Sequence, residues 1–223
     1  MNALEAIRKR RTVRRYTDRP VADEDLDKLL RLALLAPTGG GAQAWSLIVV
    51  REEEQRRALA EIIIRGGAEY FKTVRPPAEG RSAEEHAQWA RDYAETALGT
   101  YRHVPVWIAG LRLKRGAFPD DARHQLMERD ADVISVAFAM ENLYVAARAM
   151  GLGTAPTVFH WFLEDEFNAL LGIDPAAGLE TPLVTPLGYP EEFPVGLPPA
   201  LAKIRRPWRT LVHDERWGHP RQS

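Results

Sequence analysis

The chain has no cysteine, which excludes disulfides, thiolate nucleophiles and thiolate-held metals and fits a reducing, cytoplasmic setting. It has only four serines in 223 residues, none in a nucleophile elbow, so hydrolysis through an activated serine is poorly supported. No Gly-Lys-Ser/Thr triplet is present, and with it a P-loop is ruled out. Six histidines are scattered. His160 and Glu164 stand at i, i+4, but no third ligand is evident and no metal site is expected. The formal net charge is -1, which argues against a dedicated nucleic-acid binder. The N-terminus lacks the apolar run of a signal peptide. Chemistry carried by a cofactor rather than by side chains is what these absences leave.

One apolar stretch is long, Val133 to Met150, but it contains Glu141, Asn142 and Arg148, which are costly at the centre of a bilayer. It reads as the end of a helix running from about Gln125, apolar on nearly every side. That pattern belongs to a core helix, here one shared with a second copy of the chain. The overall composition, 45% apolar and 27% charged, is ordinary for a soluble globular protein, read as a single domain over 1–223.

The positive charge that exists is local. Met1 to Arg19 carries seven basic residues (Arg8, Lys9, Arg10, Arg11, Arg14, Arg15, Arg19) against Glu5 and Asp18. Three readings compete: a nucleic-acid arm, a solvated charge run, and a socket for one small anion. A basic arm usually has no apolar residues, whereas Thr12, Val13 and Tyr16 interrupt this one. In an extended segment Arg10, Thr12 and Arg14 would share a face opposite Arg11, Val13 and Arg15. Two guanidiniums and a hydroxyl on one face suit a phosphate, because the planar donor fork matches its oxygens.

The hydrophobic periodicity predicts helices over Asn2 to Arg10 (with Leu4, Ile7 and Ala3 inward), Asp23 to Leu35, Arg51 to Ile64, Ala83 to Leu98 and Leu163 to Leu171. Buried strands are expected at Leu47–Val50, Val104–Ala109 and Leu183–Leu187, with Thr154 to Phe159 short and extended. Helices alternating with strands indicate an α/β or α+β domain. Residues 65–125 read as an excursion or lid over a site. Residues 203–223 read as a C-terminal arm too polar to fold alone.

Four separated pieces, taken in order, match one pattern. Arg10-Arg11-Thr12-Val13-Arg14-Arg15-Tyr16 resembles the Arg-Arg-Ser-x-Arg-x-Phe signature of the nitroreductase family of FMN enzymes. Ala36-Pro37-Thr38-Gly39-Gly40-Gly41-Ala42-Gln43-Ala44-Trp45 resembles its Ala-Pro-Ser-x-x-Asn-x-Gln-Pro-Trp segment. Asn142 to Gly153 is similar to its Asn-Leu-x-Leu-Ala-Ala-x-x-Leu-Gly-Leu-Gly helix end. Leu187-Gly188-Tyr189-Pro190, with Lys203 to Pro207 downstream, is similar to its C-terminal elements.

The resemblance implies an α+β fold: a three-layer sandwich with an antiparallel-rich sheet flanked by helices, two subunits, and a domain-swapped C-terminal arm. It implies bound FMN with NAD(P)H as co-substrate. Hydride would pass by ping-pong through flavin N5 to an electron-poor small molecule, nitroaromatic or quinone-like. Same-fold chemistry of another kind, such as dehalogenation, substrate dehydrogenation or flavin breakdown, is the alternative. No nucleic acid or membrane is implied as partner. Carried over by position, the FMN-binding residues would be Arg10, Arg11, Thr12, Arg14, Thr38, Gly39, Gly41, Gln43, Pro156, Thr157, Val158, Lys203 and Arg205. Thr38 and Gly39 would approach from the facing subunit, and a backbone N–H of the Pro156–Val158 run would stand near N5. Tyr70, Phe71, Phe118, His124 and Phe159 are candidates for the acceptor pocket or equally for packing. Three departures stand out: Gly41 replaces the family Asn, Ala44 replaces its Pro, and Thr157-Val158-Phe159 replaces an acid-glycine pair.

Overall fold

A computed structural model describes residues 1–221 and divides them into two compact units, Met1–Phe193 and the segment from Pro194 on. In the first, four strands form an antiparallel sheet in the order β1-β2-β4-β3. They are β1 (Trp45–Val50), β2 (Val106–Leu113), β3 (Gly153–Thr154) and β4 (Leu179–Gly188). The helices of this unit are α1 (Ala3–Lys9), α2 (Asp23–Ala33), α3 (Glu53–Val74), α4 (Ala83–Leu98), α5 (Ala122–Ala149) and α6 (Glu164–Leu171).

The alternation along β2 builds the layers. Trp107, Ala109 and Leu111 point into one core with Leu59 and Ile63 of α3, Leu98 of α4 and Phe167 of α6. Val106 and Ile108 point into a second core with Leu29 of α2 and Met140 and Leu143 of α5. Successive strand residues face opposite sides, so a strand apolar at every position needs helices on both. The result is the expected α+β arrangement of a central antiparallel sheet between helical layers. Pro182 and Pro186 are tolerated inside β4 because they share the backbone side of Val184, whose N–H and C=O face away from β2 and bond Thr157. On that side β3 pairs only with Leu187 and Gly188, so no ladder bond is lost at the prolines.

Several boundaries differ from the sequence expectation. Helix α3 runs ten residues beyond Ile64, to Val74. Gly66 and Gly67, which weaken a helix by propensity, are retained inside it because neighbours abut them directly. In α1 the buried residue is Ala6, whereas Ala3, Leu4 and Ile7 are exposed. The apolar face predicted to point inward there is uncovered in this chain. In α2 Leu26, Leu29 and Ala33 are buried, but Leu34 is exposed. Helix α5 buries one side on the sheet and leaves Ile134 and Phe138 outside. It is thus less completely buried than its composition suggests. Among the described residues no helix is long and apolar enough to cross a membrane.

In the second unit α7 (Pro199–Ile204) is followed by a 3-10 turn over Trp208–Leu211 and a bridge between His213 and Pro220. Leu201, Ile204, Trp208, Leu211 and Trp217 are exposed there. The last two residues of the expected arm, 222 and 223, lie outside the described residues.

A buried histidine ties stability to pH. His160 Nε2 donates to the Thr181 carbonyl at 2.9 Å, so the other ring nitrogen, Nδ1, carries the lone pair and has no partner. Burial pushes its pKa down to about 4, the Thr181 bond opposing. The unfolded chain, near 6.5, binds the proton first, so stability is full above about pH 6.5 and falls between there and about pH 4. The expected loss is about 3 kcal/mol. Denaturant titrations at pH 7 and pH 4.5 check it: His160→Gln should flatten the difference, and an unchanged pH slope in the variant would assign the loss to other groups.

Candidate functional site

The arginine stretch folds as an extended segment tied down at both ends. The Val13 N–H donates to Thr154 O at 2.9 Å, Thr17 N–H to Tyr189 O at 2.8 Å, and Glu191 N–H to Arg15 O at 3.2 Å. Thr12 forms a parallel bridge with Thr154. The Val13 side chain is seated on Gly153, where an added Cβ would stand 2.7 to 2.9 Å from its carbons. Tyr16 turns inward, meets Tyr101 at 6.4 Å between centroids, and donates its hydroxyl to Val13 O at 2.8 Å. Strict alternation therefore ends at Val13, and Arg14 and Arg15 are both exposed. The inward demand of Tyr16, three residues after Val13, forces that irregularity.

The cations differ in how free they are. Arg10 sits 3.6 Å from the Glu141 carboxylate, a loose pair. Arg11 donates one terminal nitrogen to the carbonyls of Arg8 and Arg10, and its Nε is buried without an acceptor. Arg14 makes no ion pair among the described residues, while Thr100 holds its carbonyl through a hydroxyl bond. Its charge is felt inside: burial pushes the Tyr101 hydroxyl up to about 12, with Arg14 opposing.

From Thr154 the chain runs past Thr12 into Pro156-Thr157-Val158. Thr157 exchanges backbone bonds with Val184, and its hydroxyl accepts from Phe159 N–H at 3.2 Å. Pro156 has no N–H, so in this run only Val158 has an unbonded one. The Phe159 ring packs against Tyr70 (5.2 Å) and Phe71 (5.8 Å). Beneath it α3 is flush with the turn. A Cβ on Gly66 would overlap the Phe159 carbonyl oxygen and lie 2.8 Å from its carbonyl carbon, and one on Gly67 would lie 2.6 Å from Leu98. So Arg10, Arg11, Thr12, Arg14, Pro156, Thr157, Val158, Tyr70, Phe71 and Phe159 gather at one corner of the sheet.

Thr38, Gly39, Gly41 and Gln43 do not join them. They form a tight turn leading into Trp45, with Gly40, Gly41 and Gln43 at φ of 60°, 68° and 48°. The Thr38 hydroxyl accepts from Gln43 N–H at 3.3 Å. Position 41 has open space around it and a left-handed φ, a conformation that glycine adopts freely and that Asn, the residue of the family pattern, also tolerates. Trp45 pairs with Arg112, Arg112 with Glu180, whereas Thr154 pairs with Leu187. Strand rise and spacing then put the two corners roughly 27 Å apart, diagonally across the sheet.

Phe118 and His124 belong to the second corner. Their rings are 5.1 Å apart, Phe118 on the loop after β2 and His124 in the first turn of α5, and the last residue of β2 donates to Ala44 O. Glu128 fixes that loop by accepting from the Gly116 and Ala117 N–H groups at 3.0 and 2.9 Å, and Asp132 pairs with Arg115. In the second unit Lys203 lies in the last turn of α7 and Arg205 caps it, both exposed. Sequence reasoning missed Gly66, Gly67 and Glu128. The glycine pair inside a helical pattern was the available signal for the first two. An acid on an apolar helix face was the signal for the third.

A family model described as the nitroreductase family matches residues 7–189. The chain belongs to the nitroreductase family. A putative NADH dehydrogenase/NAD(P)H nitroreductase of Archaeoglobus fulgidus is 43% identical over 63 residues, 28% of this chain and 36% of the relative, so the match spans about a third of that protein. Among solved structures, NfrA2 of B. megaterium superposes with a TM-score of 0.71 at 20% identity, covering 98% of this chain and 76% of that one. An iodotyrosine deiodinase bound to FMN and 3-iodo-L-tyrosine superposes with a TM-score of 0.65 at 22% identity, covering 88% and 94%. At those identities the superpositions establish the nitroreductase fold and nothing finer.

The abutment of α3 on the Phe159 turn gives a prediction. Gly66→Ala should destabilise by about 2–3 kcal/mol, because the opposing atoms are backbone and cannot rotate aside. Gly80→Ala, with open space around the new methyl but φ of 79°, should cost about 1 kcal/mol. Urea midpoints of the two variants decide; equal losses would mean that α3 does not bear on the turn.

Proposed function

We propose that the protein is an FMN-dependent oxidoreductase that takes hydride from NAD(P)H and passes it to an electron-poor small molecule, nitroaromatic or quinone-like, and that it works as a homodimer. One observation carries the reading: the residues aligned with the family's FMN pattern form two groups at opposite corners of one sheet. Two copies related by a two-fold axis would bring Arg10 to Val158 of each subunit against Thr38 to Gln43 of the other. Exposed apolar residues fit such a pairing. Leu4 and Ile7 of α1, Leu34 and Leu35 after α2, and Ile134 and Phe138 of α5 are all uncovered, on helices that pack on one another. A dimer would cover them.

The residues present suit a flavin mononucleotide. Arg14 and the orphaned Nε of Arg11 are donors awaiting an anion, and Thr12 adds a hydroxyl beside them. Lys203 and Arg205 add charge from the C-terminal arm, which we read as lying on the partner. Bound FMN would supply hydride acceptance and donation at its N5. The unbonded Val158 N–H faces that role: a backbone donor fixed by the Thr157–Val184 bridge favours negative charge on the ring it approaches. Tyr70, Phe71 and Phe159 form the aromatic wall next to it, and Phe118 and His124 of the second subunit would close the other side. The NAD(P)H part of the reading draws on the A. fulgidus relative's name, and the FMN part on the deiodinase complex.

A second reading keeps FMN and changes the substrate. The Thr157-Val158-Phe159 run, which lacks the acid-glycine pair, favours it. The cysteine-free composition supports a cytoplasmic location for either.

The visible spectrum of the purified protein tests the proposal. We expect flavin absorbance, bleached anaerobically by NADH or NADPH and restored by a nitroaromatic. A colourless protein that takes up no FMN sinks both readings, whereas flavin that nicotinamides fail to bleach leaves only the second. Arg14→Ala should weaken FMN retention about tenfold more than Arg15→Ala, measured by fluorescence titration of apoprotein. Equal losses would place both guanidiniums in solvent. Sedimentation should give a dimer.

A further inference from the structure

Away from both corners, two arginines stand over a row of aromatic rings. Arg75 caps α3, and its guanidinium lies 4.7 Å from the Tyr93 ring centre and 6.0 Å from that of Trp89. Arg81 lies 5.5 Å from Trp89. The rings follow one face of α4. Trp89 stacks with His86 at 5.3 Å and 9°, and with Tyr93 at 5.5 Å and 27°. Neither arginine forms an ion pair among the described residues. Arg75 donates only to the Tyr93 hydroxyl, at 3.2 Å. Glu85 is the carboxylate that feels Arg81, but it is held at the α4 N-terminus by Ser82, whose N–H it accepts at 2.8 Å.

Flat rings beside cations without carboxylates suit a ligand that has a π-face and a phosphate. A base stacks on the first and pairs its phosphates with the second. The position narrows the ligand further. Trp89 reaches Phe159 through ring-to-ring steps of 5.5 Å to Tyr93, 4.8 Å to Phe71 and 5.8 Å to Phe159. Phe159 follows Val158, beside which the proposed flavin would react.

We propose that Trp89, Arg75 and Arg81 bind the adenosine-phosphate half of the nicotinamide co-substrate, the ring half reaching the flavin past Phe71. This rests on the NAD(P)H reading above. It names the part of the co-substrate that α4 and the Arg75–Arg81 loop recognise. No covalent step occurs there; the site holds a fragment that does not react.

The test uses the full chain supplied with FMN. ADP-ribose and its 2′-phosphorylated form contain the adenosine phosphates but no nicotinamide, so they bind without reducing anything. Calorimetry should detect both in the wild type. The variant Arg75→Gln with Arg81→Gln, which keeps the side-chain stems, should weaken them about tenfold and raise KM for NAD(P)H by a similar factor. KM for reduced nicotinamide mononucleotide, which lacks the adenosine, should not move. Trp89→Leu should behave like the glutamine pair. No binding of either fragment, unchanged binding in the variants, or an equal loss for the mononucleotide would overturn the site. Thermal unfolding midpoints within a few degrees of wild type separate these results from misfolding, and the single variant Arg81→Gln replaces the pair if that pair unfolds. Fragment binding in a protein that takes up no FMN would refute the flavin reading while leaving a nucleotide site; flavin bleached normally by NAD(P)H in all variants would do the reverse.

Discussion

The bonding of residues 12 to 17 to Thr154 and Tyr189 is the constraint on which the candidate site depends. It lays a run of cations along the edge of β3, where the chain leaves for Pro156 and Val158. Without those backbone bonds, like charges four residues deep would repel one another and disperse into solvent. The tie is possible because Gly153 gives Val13 room to seat and Tyr16 reaches back to the Val13 carbonyl. Charge is thus concentrated by neutral contacts, and the exposed arginines remain unsatisfied because the fold has spent none of its carboxylates on Arg14.

That edge is also where the helical layers converge. Helix α5 ends at Ala149, is capped by Met150, turns through Gly151 at φ of 81°, and delivers β3. Helix α3 supports the following turn from below, Gly66 against the Phe159 backbone, and α4 supports α3 through Leu98. The segment that would face the flavin is therefore braced by contacts with little freedom to adjust. A backbone N–H such as that of Val158 is useful to chemistry only when it is aimed in advance, and such bracing supplies the aim.

Much of this was legible in the residues. The helix patterns of α2, α4 and α6 carried their own signals: an acidic first turn, the Ser82–Glu85 capping box, and Gly172 as a left-handed stop. The four ordered motifs carried the family. Less was legible where neighbours overrule local preference. Gly66 and Gly67 look like a helix end until the turn they accommodate is known. Leu4 and Ile7 look like an inward face because periodicity reports that a face is apolar, not what covers it. Thr12 and Arg14 look like strand neighbours until Tyr16 is drawn inward.

Composition and motif order specify the class of chemistry and the list of residues: no thiol, few serine nucleophiles, a cationic run, and motifs in the order of a flavin-binding family. Those follow from composition and linear spacing, which a sequence states directly. Where they stand depends on the fold. The strand order β1-β2-β4-β3 puts Thr38 to Gln43 and Arg10 to Val158 at diagonal corners, since register and pairing depend on contacts between residues far apart in the chain. It likewise decided that, of the run from Pro156 to Val158, a single N–H is left unbonded, because Val184 takes the other.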